Sequence, residues 1–494
     1  MKVLFSNPPW WEKKEGRFWF WKKHWRVGVR AGSRWPFTYL SNCSPDNFKF
    51  GEYLPYPFFM GYATTYAKKE TGSDVHFRDS IALRESYNSY FRHLEEERYE
   101  YIFIEIATPS WEHDRVLIEQ IHKRLPETKI VVTGPITTIK SEEILNNYPV
   151  HACIRGEYEK GSVRVLNGES GIIDFDLLTL AEMNAAPFPY FDELHAYRYW
   201  DGNPVGQVAP HAQIWSSRGC PFKCIFCVWP AAMTGNDPDG TKTRTVRHYS
   251  PEYMEAFIRE LIDRFQYKCI YFDDDTFNLG NSHVVKMCDV MARIGIPWSA
   301  MCRADTIQMG TWKLMKESGC FGVKLGFESG NQRVVDKIVN KHLDLEYAAQ
   351  IVRELKQIGM TVHGTFTYGL PGETKEEMLD TKRFIASLPF DSFQESGIVN
   401  HLRHDSIPSI LDTYWRYLRF SYPTYKDITF KWFLHNAYFV HLKGVLISLL
   451  YRDLKQNKNY HFILLDMLVP WYLTYRNFKL LLESKNKGVE TMER

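Results

Sequence analysis

The sequence predicts an α/β protein in three consecutive parts. These are a doubly wound parallel sheet over residues 1–165, a partial (β/α)6 barrel over residues 206–400, and a helical region over residues 401–494. In the first two parts, short apolar runs alternate with helical patterns, which is typical of parallel sheets with helical crossovers. Residues 166–205 contain Asn-Gly, Pro187 and Pro189, which indicates a linker between the first two parts.

Composition sets the broad class. The 494 residues are enough for several domains, and the net charge of +2 favours no particular partner. The nine cysteines and the start of the chain, which shows no signal peptide, indicate a reducing cytoplasm. No run of 18 apolar residues occurs, so we expect no transmembrane helix.

The first part begins with a strand over residues 2–6 that stops at Pro8 and Pro9. Further strands are predicted at 74–78, 101–106, 129–133 and 151–155, and helices at 57–69, 86–97, 111–125 and 141–147. Such sheets bind ligands beyond the carboxyl ends of their strands. The residues at those ends are Pro8, Pro9, Thr108, Pro109, Ser110, Gly134, Pro135, Gly156 and Glu157. Most of them are small or turn-forming, and ordinary turns at the strand ends would also explain them.

An insertion over residues 10–55 separates the first strand from the first helix. Residues 10–35 hold six tryptophans and eight lysines or arginines, against two glutamates. This composition suits an anionic, partly apolar partner, with Arg30 and Arg34 as candidate substrate ligands. A solvated face whose tryptophans pack on a neighbouring domain is the alternative.

The second part alternates six strands with the helices between them. Strands are predicted at 213–216, 269–272, 298–302, 323–327, 361–368 and 393–399, and helices at 251–265, 282–293, 311–318, 346–358 and 375–387. Six such units fit a partial TIM-type barrel, in which chemistry takes place at the carboxyl ends of the strands.

Three cysteines follow the first of these strands. Cys220, Cys224 and Cys227 have the spacing C-x3-C-x2-C. Three thiolates this close can hold three corners of a [4Fe–4S] cluster, which leaves one iron open to bind a small molecule. Structural zinc would need four ligands, and no second C-x2-C is present. The other six cysteines are scattered, as buried structural cysteines are.

Charged residues follow the next strands of the barrel. Three consecutive aspartates, residues 273–275, end the second strand, Arg303 the third and Glu328 the fourth. Helix capping could explain single polar residues at strand ends. Three adjacent carboxylates need cations or hydrogen-bond donors to offset their repulsion, which favours a binding site.

With Ser-Arg-Gly before the first cysteine and Phe226 before the third, this part resembles the radical S-adenosylmethionine (SAM) superfamily. The resemblance implies that the open iron binds the amino and carboxylate groups of SAM. One electron then cleaves SAM to a 5′-deoxyadenosyl radical. It also implies SAM contacts at Phe226, Asp274, Asp275, Arg303, Glu328 and Gly369.

The first part resembles the cobalamin-binding domain that precedes many radical SAM domains. The matches are Asn-Pro-Pro after the first strand, Thr-Pro-Ser, Gly-Pro and Arg-Gly-Glu after later strands. By this resemblance the strand ends named above bind cobalamin, and Arg84 lies near the lower face of cobalt. The stretch 74–79 is similar to the cobalt-ligating D-x-H-x-x-G motif. It lacks the final glycine and lies within a strand, so His76 is interpreted as a strand residue.

One stretch departs from the family pattern. Where many cobalamin-type relatives have Pro-Gly-Thr after the sixth strand, residues 400–406 include His401 and His404. These histidines are candidate substrate ligands or acid/base groups, and they are explained equally well as polar side chains exposed to solvent. The aromatic, basic helices that follow predict a cap on the barrel or a peripheral membrane contact.

The predicted function is therefore that of a cytoplasmic, cobalamin-dependent radical SAM methyltransferase acting on an unactivated carbon. The implied cofactors are a [4Fe–4S] cluster, SAM and cobalamin. The expected partners are an external flavodoxin- or ferredoxin-like electron donor and a small-molecule, lipid or sugar-type substrate, anionic in character, with no nucleic acid. The alternatives are a radical cyclisation, ring rearrangement or carbon–carbon coupling, and a non-catalytic iron–sulfur scaffold.

Overall fold

A computed structural model describes residues 1–15, 23–27, 37–38, 55–83, 85–106, 110–196, 199, 201, 210–224, 227, 245–368, 370 and 372–397. The predicted helices beyond residue 400 lie outside this range. Several predicted site residues also lie outside it, namely Arg30, Arg34, Arg84, Thr108, Pro109, Phe226, Gly369, His401 and His404.

The first part of the chain contains nine strands and seven helices among the described residues. The strands are β1 (Lys2–Asn7), β2 (Trp11–Glu15), β3 (Lys23–Val27), β4 (Phe37–Thr38), β5 (Asp74–Asp79), β6 (Tyr101–Glu105), β7 (Lys129–Thr133), β8 (Ala152–Ile154) and β9 (Gly171–Ile173). The helices are α1 (Phe58–Thr71), α2 (Ser80–Leu83), α3 (Tyr87–Glu97), α4 (Trp111–Arg124), α5 (Thr137–Asn147), α6 (Glu159–Leu166) and α7 (Leu180–Ala185).

Six of these strands form one parallel sheet in the order β5-β1-β6-β7-β8-β9. The order reverses at β1, which is the topology of a doubly wound sheet and confirms the predicted fold class. Strand β9 falls within the predicted linker and adds a sixth strand. Strands β2, β3 and β4 form a separate antiparallel sheet within the predicted insertion.

The first sheet is buried on both faces. In β1, Val3 and Phe5 pack into one apolar core, whereas Leu4 between them packs into a second. Ile102 and Ile104 of β6 join Leu4 in that second core. Alternate side chains of a strand point to opposite faces, so a continuous apolar run places hydrophobic residues against helices on both sides.

The described residues of the second part form eight strands. They are β10 (His211–Ile214), β11 (Ser217–Arg218), β12 (Arg247–His248), β13 (Cys269–Phe272), β14 (Trp298–Cys302), β15 (Cys320–Glu328), β16 (Thr361–Tyr368) and β17 (Ser392–Gly397). The helices between them are α8 (Pro251–Phe265), α9 (Asn281–Ile294), α10 (Met309–Glu317), a π-helix (Val334–Ile338), α11 (Leu345–Gln357) and α12 (Lys375–Ser387).

The main sheet of this part is parallel and runs in chain order, β10-β13-β14-β15-β16-β17. Each strand except the last is followed by a helix before the next, as the predicted partial barrel requires. Side chains cap some of the helix starts in this part. Ser250 accepts a hydrogen bond from the Tyr253 amide at the start of α8, and Thr374 and Glu377 form a capping box at the start of α12.

The two faces of the barrel sheet differ. The helix-facing side is apolar and includes Ile270, Val323 and Leu325, which belong to the same core as Val3 and Phe5 of the first sheet. The opposite face is lined by buried polar side chains, which are His211, Gln213, Tyr271, Ser299, Lys324 and His363. Among the described residues, no helix has the length and apolar character needed to cross a bilayer.

Candidate active site at the cysteine loop

A short ribbon carries the cysteine loop. Strands β11 and β12 pair antiparallel, with Arg218 opposite Arg247, and the cysteines lie on the chain between them. Gly219 starts this loop with φ of 94°, and a Cβ there would overlap the carbonyl oxygen of Thr245. Only glycine fits at this position, so the backbone conformation explains the glycine of the Ser-Arg-Gly motif.

The three cysteines differ in exposure. Cys220 is buried, whereas Cys224 and Cys227 are half-buried, and the Cys227 amide donates to the Cys224 carbonyl oxygen at 3.0 Å. Burial, followed by the nearby Asp275, raises the pKa of Cys220 to about 11. Metal binding therefore has to displace a proton from this thiol.

The donor set fits a cluster better than a single ion. Within the described residues, no three side chains of His, Cys, Asp or Glu converge as the ligands of one metal ion would. In an iron–sulfur cube each thiolate binds a different iron, so the sulfur atoms need not converge on one point. Three thiols on one loop thus match a [4Fe–4S] cluster with an open iron, as the spacing predicts.

Asp274 and Asp275 follow β13 but occupy different environments. Asp274 is fully buried and accepts hydrogen bonds from the Ser216 amide at 3.0 Å and the Ser217 hydroxyl at 2.6 Å. Burial raises the pKa of Asp274 to about 7 in spite of these donors. Asp275 is half-buried and accepts from the Gly219 amide at 3.2 Å. Of the two predicted SAM ligands, Asp275 has the exposed surface that a ligand contact needs.

Arg303, which follows β14, contacts the cysteine loop. Its guanidinium is buried, donates to Asp305 and to the Lys341 carbonyl oxygen at 2.6 Å, and stacks 3.8 Å from the centre of the Phe222 ring. Phe222 lies between the first two cysteines. Arg303 therefore fixes the loop by a cation–π contact, in addition to its predicted role near SAM.

Glu328 ends β15 in a strained conformation. Its φ is 69°, in the left-handed region that residues with a side chain rarely adopt, and the pairing with β16 is irregular there. Its carboxylate accepts from Lys341 Nζ at 3.0 Å and from the Thr367 hydroxyl at 3.1 Å. Strain of this kind concentrates at binding sites, which agrees with the predicted SAM contact.

The segment after the π-helix belongs to the site and was missed by sequence reasoning. Asn340 and His342 both have positive φ, and the Asn340 side chain donates to the Lys223 carbonyl oxygen at 3.1 Å. Burial lowers the pKa of Lys341, but Glu328 more than offsets this and the pKa is raised. The Lys341 ammonium is thus a charged group held beside Glu328. No motif marks this segment, because its contacts are distant along the chain.

The described strand ends of the first sheet lie along one edge. Pro8 and Pro9 are buried after β1, and Ser110 precedes α4. Gly134 has φ of 99°, and a Cβ there would meet the Ile106 carbonyl oxygen. Pro135 follows it and is buried. These positions are consistent with close backbone approach to a ligand, and their predicted cobalamin contacts stay predictions.

Glu105 at the end of β6 lies on the same edge and was not predicted. It is buried, and the Tyr158 hydroxyl donates to its Oε2 at 2.8 Å. Burial raises the pKa of Glu105 to about 7. Its position three residues before Thr108, which starts the predicted Thr-Pro-Ser stretch, was the available signal.

Gly156 and Glu157 follow β8 and reach the second part of the chain. Gly156 has φ of 80°, and the Glu157 carboxylate is buried against Arg218 and Arg247. Glu157 thus lies where it was predicted, but its carboxylate binds the ribbon that carries the cysteine loop.

Comparison with known proteins identifies the second part. Residues 216–385 match the model of the Radical SAM superfamily. The chain contains a radical SAM domain. This match confirms the predicted [4Fe–4S] cluster and SAM as its cofactors, and the residues described above fit them.

Relatives extend the likeness beyond the radical SAM domain. An uncharacterized methyltransferase of Pyrococcus horikoshii is 29% identical over 58% of this chain and 64% of its own length. The cytidylyl-2-hydroxyethylphosphonate methyltransferase of Streptomyces wedmorensis is 29% identical over 48% of this chain and 46% of its own. The chain thus spans about half to two thirds of the length of these curated relatives.

A solved structure shares the fold across both parts. The radical SAM methyltransferase TsrM from Kitasatospora setae, with cobalamin and a [4Fe–4S] cluster bound, aligns with a TM-score of 0.56 and 14% identity. The alignment covers 80% of this chain and 75% of TsrM. The predicted combination of a doubly wound domain with a radical SAM barrel is therefore confirmed as a fold.

Proposed function

We propose that this protein is a cobalamin-dependent radical SAM methyltransferase acting on an unactivated carbon. One observation carries the proposal. The radical SAM domain, with its three-thiol loop, packs against a doubly wound domain, and both together share the fold of an enzyme that holds cobalamin and a cluster. The two curated relatives described above are also named methyltransferases.

The residues around the cysteine loop support binding of the cluster and SAM. Cys220, Cys224 and Cys227 would hold the cluster. Asp275 would accept from the amino group of SAM, while Lys341, with Glu328, would face its carboxylate or ribose. Such charge-assisted hydrogen bonds are the strong ones in proteins. When bound, the cluster supplies the electron that cleaves SAM, and cobalamin carries the methyl group.

The packing between the two domains supports a shared and dry reaction space. Phe58 of α1 stacks on Trp215 with ring centres 4.2 Å apart, and Tyr62 stacks on Tyr249 at 5.9 Å. All four rings are buried. Aromatic packing of this kind excludes water and holds the two domains in a fixed orientation, so that reactants bound to them would be correctly oriented.

The test is anaerobic reconstitution with iron and sulfide, loading with hydroxocobalamin, and incubation with SAM and a low-potential reductant. We expect corrin absorption that survives desalting, together with 5′-deoxyadenosine and S-adenosylhomocysteine as products. Cys224→Ala should lose the cluster signal and SAM cleavage. Cys288→Ala, which changes a buried cysteine in the core away from the loop, should keep both.

The outcomes separate the alternatives. Absence of retained corrin would remove cobalamin from the proposal. 5′-Deoxyadenosine without S-adenosylhomocysteine would favour a cyclisation, rearrangement or coupling reaction. Failure to cleave SAM with an intact cluster would favour an iron–sulfur scaffold. We further propose a small-molecule, lipid or sugar-type anionic substrate and a flavodoxin- or ferredoxin-like electron donor.

A further inference from the structure

Two arginines hold the two ends of the cysteine loop. Arg218 lies two residues before Cys220 in β11, and Arg247 lies opposite it in β12, where the chain returns from the loop. Any group that fixes both arginines therefore fixes the base of the loop that carries the cluster ligands.

The carboxylates that both arginines bind belong to the first domain. Arg218 Nη1 donates to Glu157 at 3.0 Å and to Glu159 at 2.5 Å. Arg247 Nη2 donates to the other oxygen of Glu157, and its Nη1 donates to the Leu178 carbonyl oxygen at 2.6 Å. We call Glu157, Glu159, Arg218 and Arg247 the four-charge junction.

Three of the four groups in the junction are almost completely removed from water, and Arg247 is partly buried. Arg218 is 3% exposed, and the two glutamates are 1% and 2% exposed. The Arg218 guanidinium also lies 4.3 Å from the centre of the Tyr62 ring and donates to the Tyr249 hydroxyl at 3.0 Å. The charges cancel, with two positive and two negative groups, so their burial is tolerated only as a set.

Stability alone does not explain this arrangement. Well-packed apolar residues of similar volume often stabilise a protein as much as a buried ion pair does, and an aromatic interface already surrounds the junction. What charged, forked side chains add is a defined geometry, because each guanidinium nitrogen has a fixed direction. The junction therefore sets where the ribbon lies relative to the first domain.

Glu157 lies on the short connection between β8 and α6, and Glu159 is the first residue of α6. Residues 155–158 connect β8 to α6, and they begin at the carboxyl end of a strand in a doubly wound sheet, where such sheets bind ligands. One short connection thus contacts the ligand edge of the first sheet at its start and the cluster-bearing ribbon at its end.

We propose that Glu157 and Glu159 are positioning residues that couple ligand binding at the first sheet to the iron–sulfur cluster. A ligand that settles on the edge shifts the connection after β8, and Arg218 and Arg247 transmit the shift to the base of the cysteine loop. The inference rests on the proposed function, since cobalamin is the ligand proposed for that edge.

The test compares the cluster with and without cobalamin in the full-length, reconstituted protein. EPR-monitored redox titration gives the midpoint potential of the cluster before and after loading with hydroxocobalamin. In the unaltered protein we expect loading to shift this potential. In Glu157→Gln we expect the shift to be lost in the chains that hold both iron and corrin, and the content of each per chain is measured alongside.

A matched control and a second variant keep the result interpretable. Asp174→Asn breaks the exposed pair of Arg155 with Asp174, adjacent to the same connection, and should keep the full shift. If Glu157→Gln does not fold, Arg247→Lys keeps the charge but not the forked contact, and should reduce the shift.

Three results would overturn the proposal or its basis. A potential that does not respond to bound cobalamin would refute the coupling. A full response in Glu157→Gln or Arg247→Lys would refute the role of the junction. Protein that retains no corrin would overturn the proposed function, and the coupling with it.

Discussion

The two parallel sheets of this protein differ in the side chains that one of their faces buries. In the first sheet, β1 and β6 place apolar residues on both faces, as with Leu4 and Phe5. In the barrel sheet, apolar residues such as Ile270 face the helices, while the other face carries buried polar groups such as Ser299 and Lys324.

This difference explains where each domain can carry chemistry. A sheet covered by helices on both sides has no room for polar side chains within its strands, so its functional groups are confined to the strand ends. A barrel sheet has one face that no helix covers, and polar groups can line it when they have partners. Lys324 illustrates this, because its ammonium lies 2.9 Å from the buried Asp201 carboxylate.

The largest expected loss of stability comes from a substitution on the polar face of the barrel. Lys324→Met removes the cation from Asp201, which is 1% exposed, and should lower the free energy of unfolding by about 3–5 kcal/mol. Denaturant titration followed by circular dichroism measures this. Lys140→Met, which breaks a more exposed pair with Glu143, should cost about 1 kcal/mol or less. Equal losses in the two variants would contradict the prediction.

The next largest effect is the pH dependence of stability that Glu105, at a strand end of the first sheet, should cause. The pKa of Glu105 is raised to about 7, so between its ordinary value and about 7 the folded protein keeps a proton that the unfolded chain releases. Stability should therefore fall as pH rises through this window, by up to about 1.4 kcal/mol per pH unit. Glu105→Gln should remove this contribution.

Unfolding free energies of Glu105→Gln and the unaltered protein, measured across that pH window, check this expectation. Asp274→Asn is the counterpart in the barrel, because burial also raises the pKa of Asp274 to about 7. A constant difference between Glu105→Gln and the unaltered protein at all pH values would show that Glu105 titrates normally.

A smaller effect tests whether the apolar faces of the two sheets are equivalent. Ile104→Val in β6 and Ile270→Val in β13 each remove one methylene from a site with no exposed surface. Each should cost about 0.5–1.5 kcal/mol, measured by denaturant titration. A clearly larger loss at one site would show that one core is packed more tightly than the other.

The smallest effect concerns Ser299, on the polar face of the barrel. Its hydroxyl is buried and has no hydrogen-bond partner in the described part of the chain. Ser299→Ala should leave stability unchanged or raise it by up to about 1 kcal/mol, because it removes an unsatisfied polar group. Thermal unfolding compared with Ser216→Ala checks this, because that variant loses the hydroxyl hydrogen bonds with Asp274 and His283. A loss as large as that of Ser216→Ala would indicate that a ligand or water binds Ser299.

Local pattern was enough for many elements of both sheets. The strands β7 and β13 have the predicted bounds, because short apolar runs mark them clearly. Strand β9, in contrast, is three residues long and follows Asn-Gly, so its pairing with β8 is not visible from periodicity. Short edge strands are fixed by their neighbours rather than by their own sequence.

The candidate site divides in the same way. The cysteine spacing and the charged strand ends could be read directly, because each is local in sequence. The contacts of Phe222 with Arg303, of Asn340 with Lys223, and of Lys341 with Glu328 could not. Each joins residues that only the barrel brings together.

By itself, the sequence determined the two-domain α/β order, the three thiols of the cluster and the aspartates and arginine at the strand ends. Period and spacing are properties of the local chain, so they carry this information without any fold. Only the tertiary structure decided that Glu157 and Glu159 pair with Arg218 and Arg247 across the domain boundary. Buried charges must find partners wherever the fold supplies them, and those partners have no fixed distance along the chain.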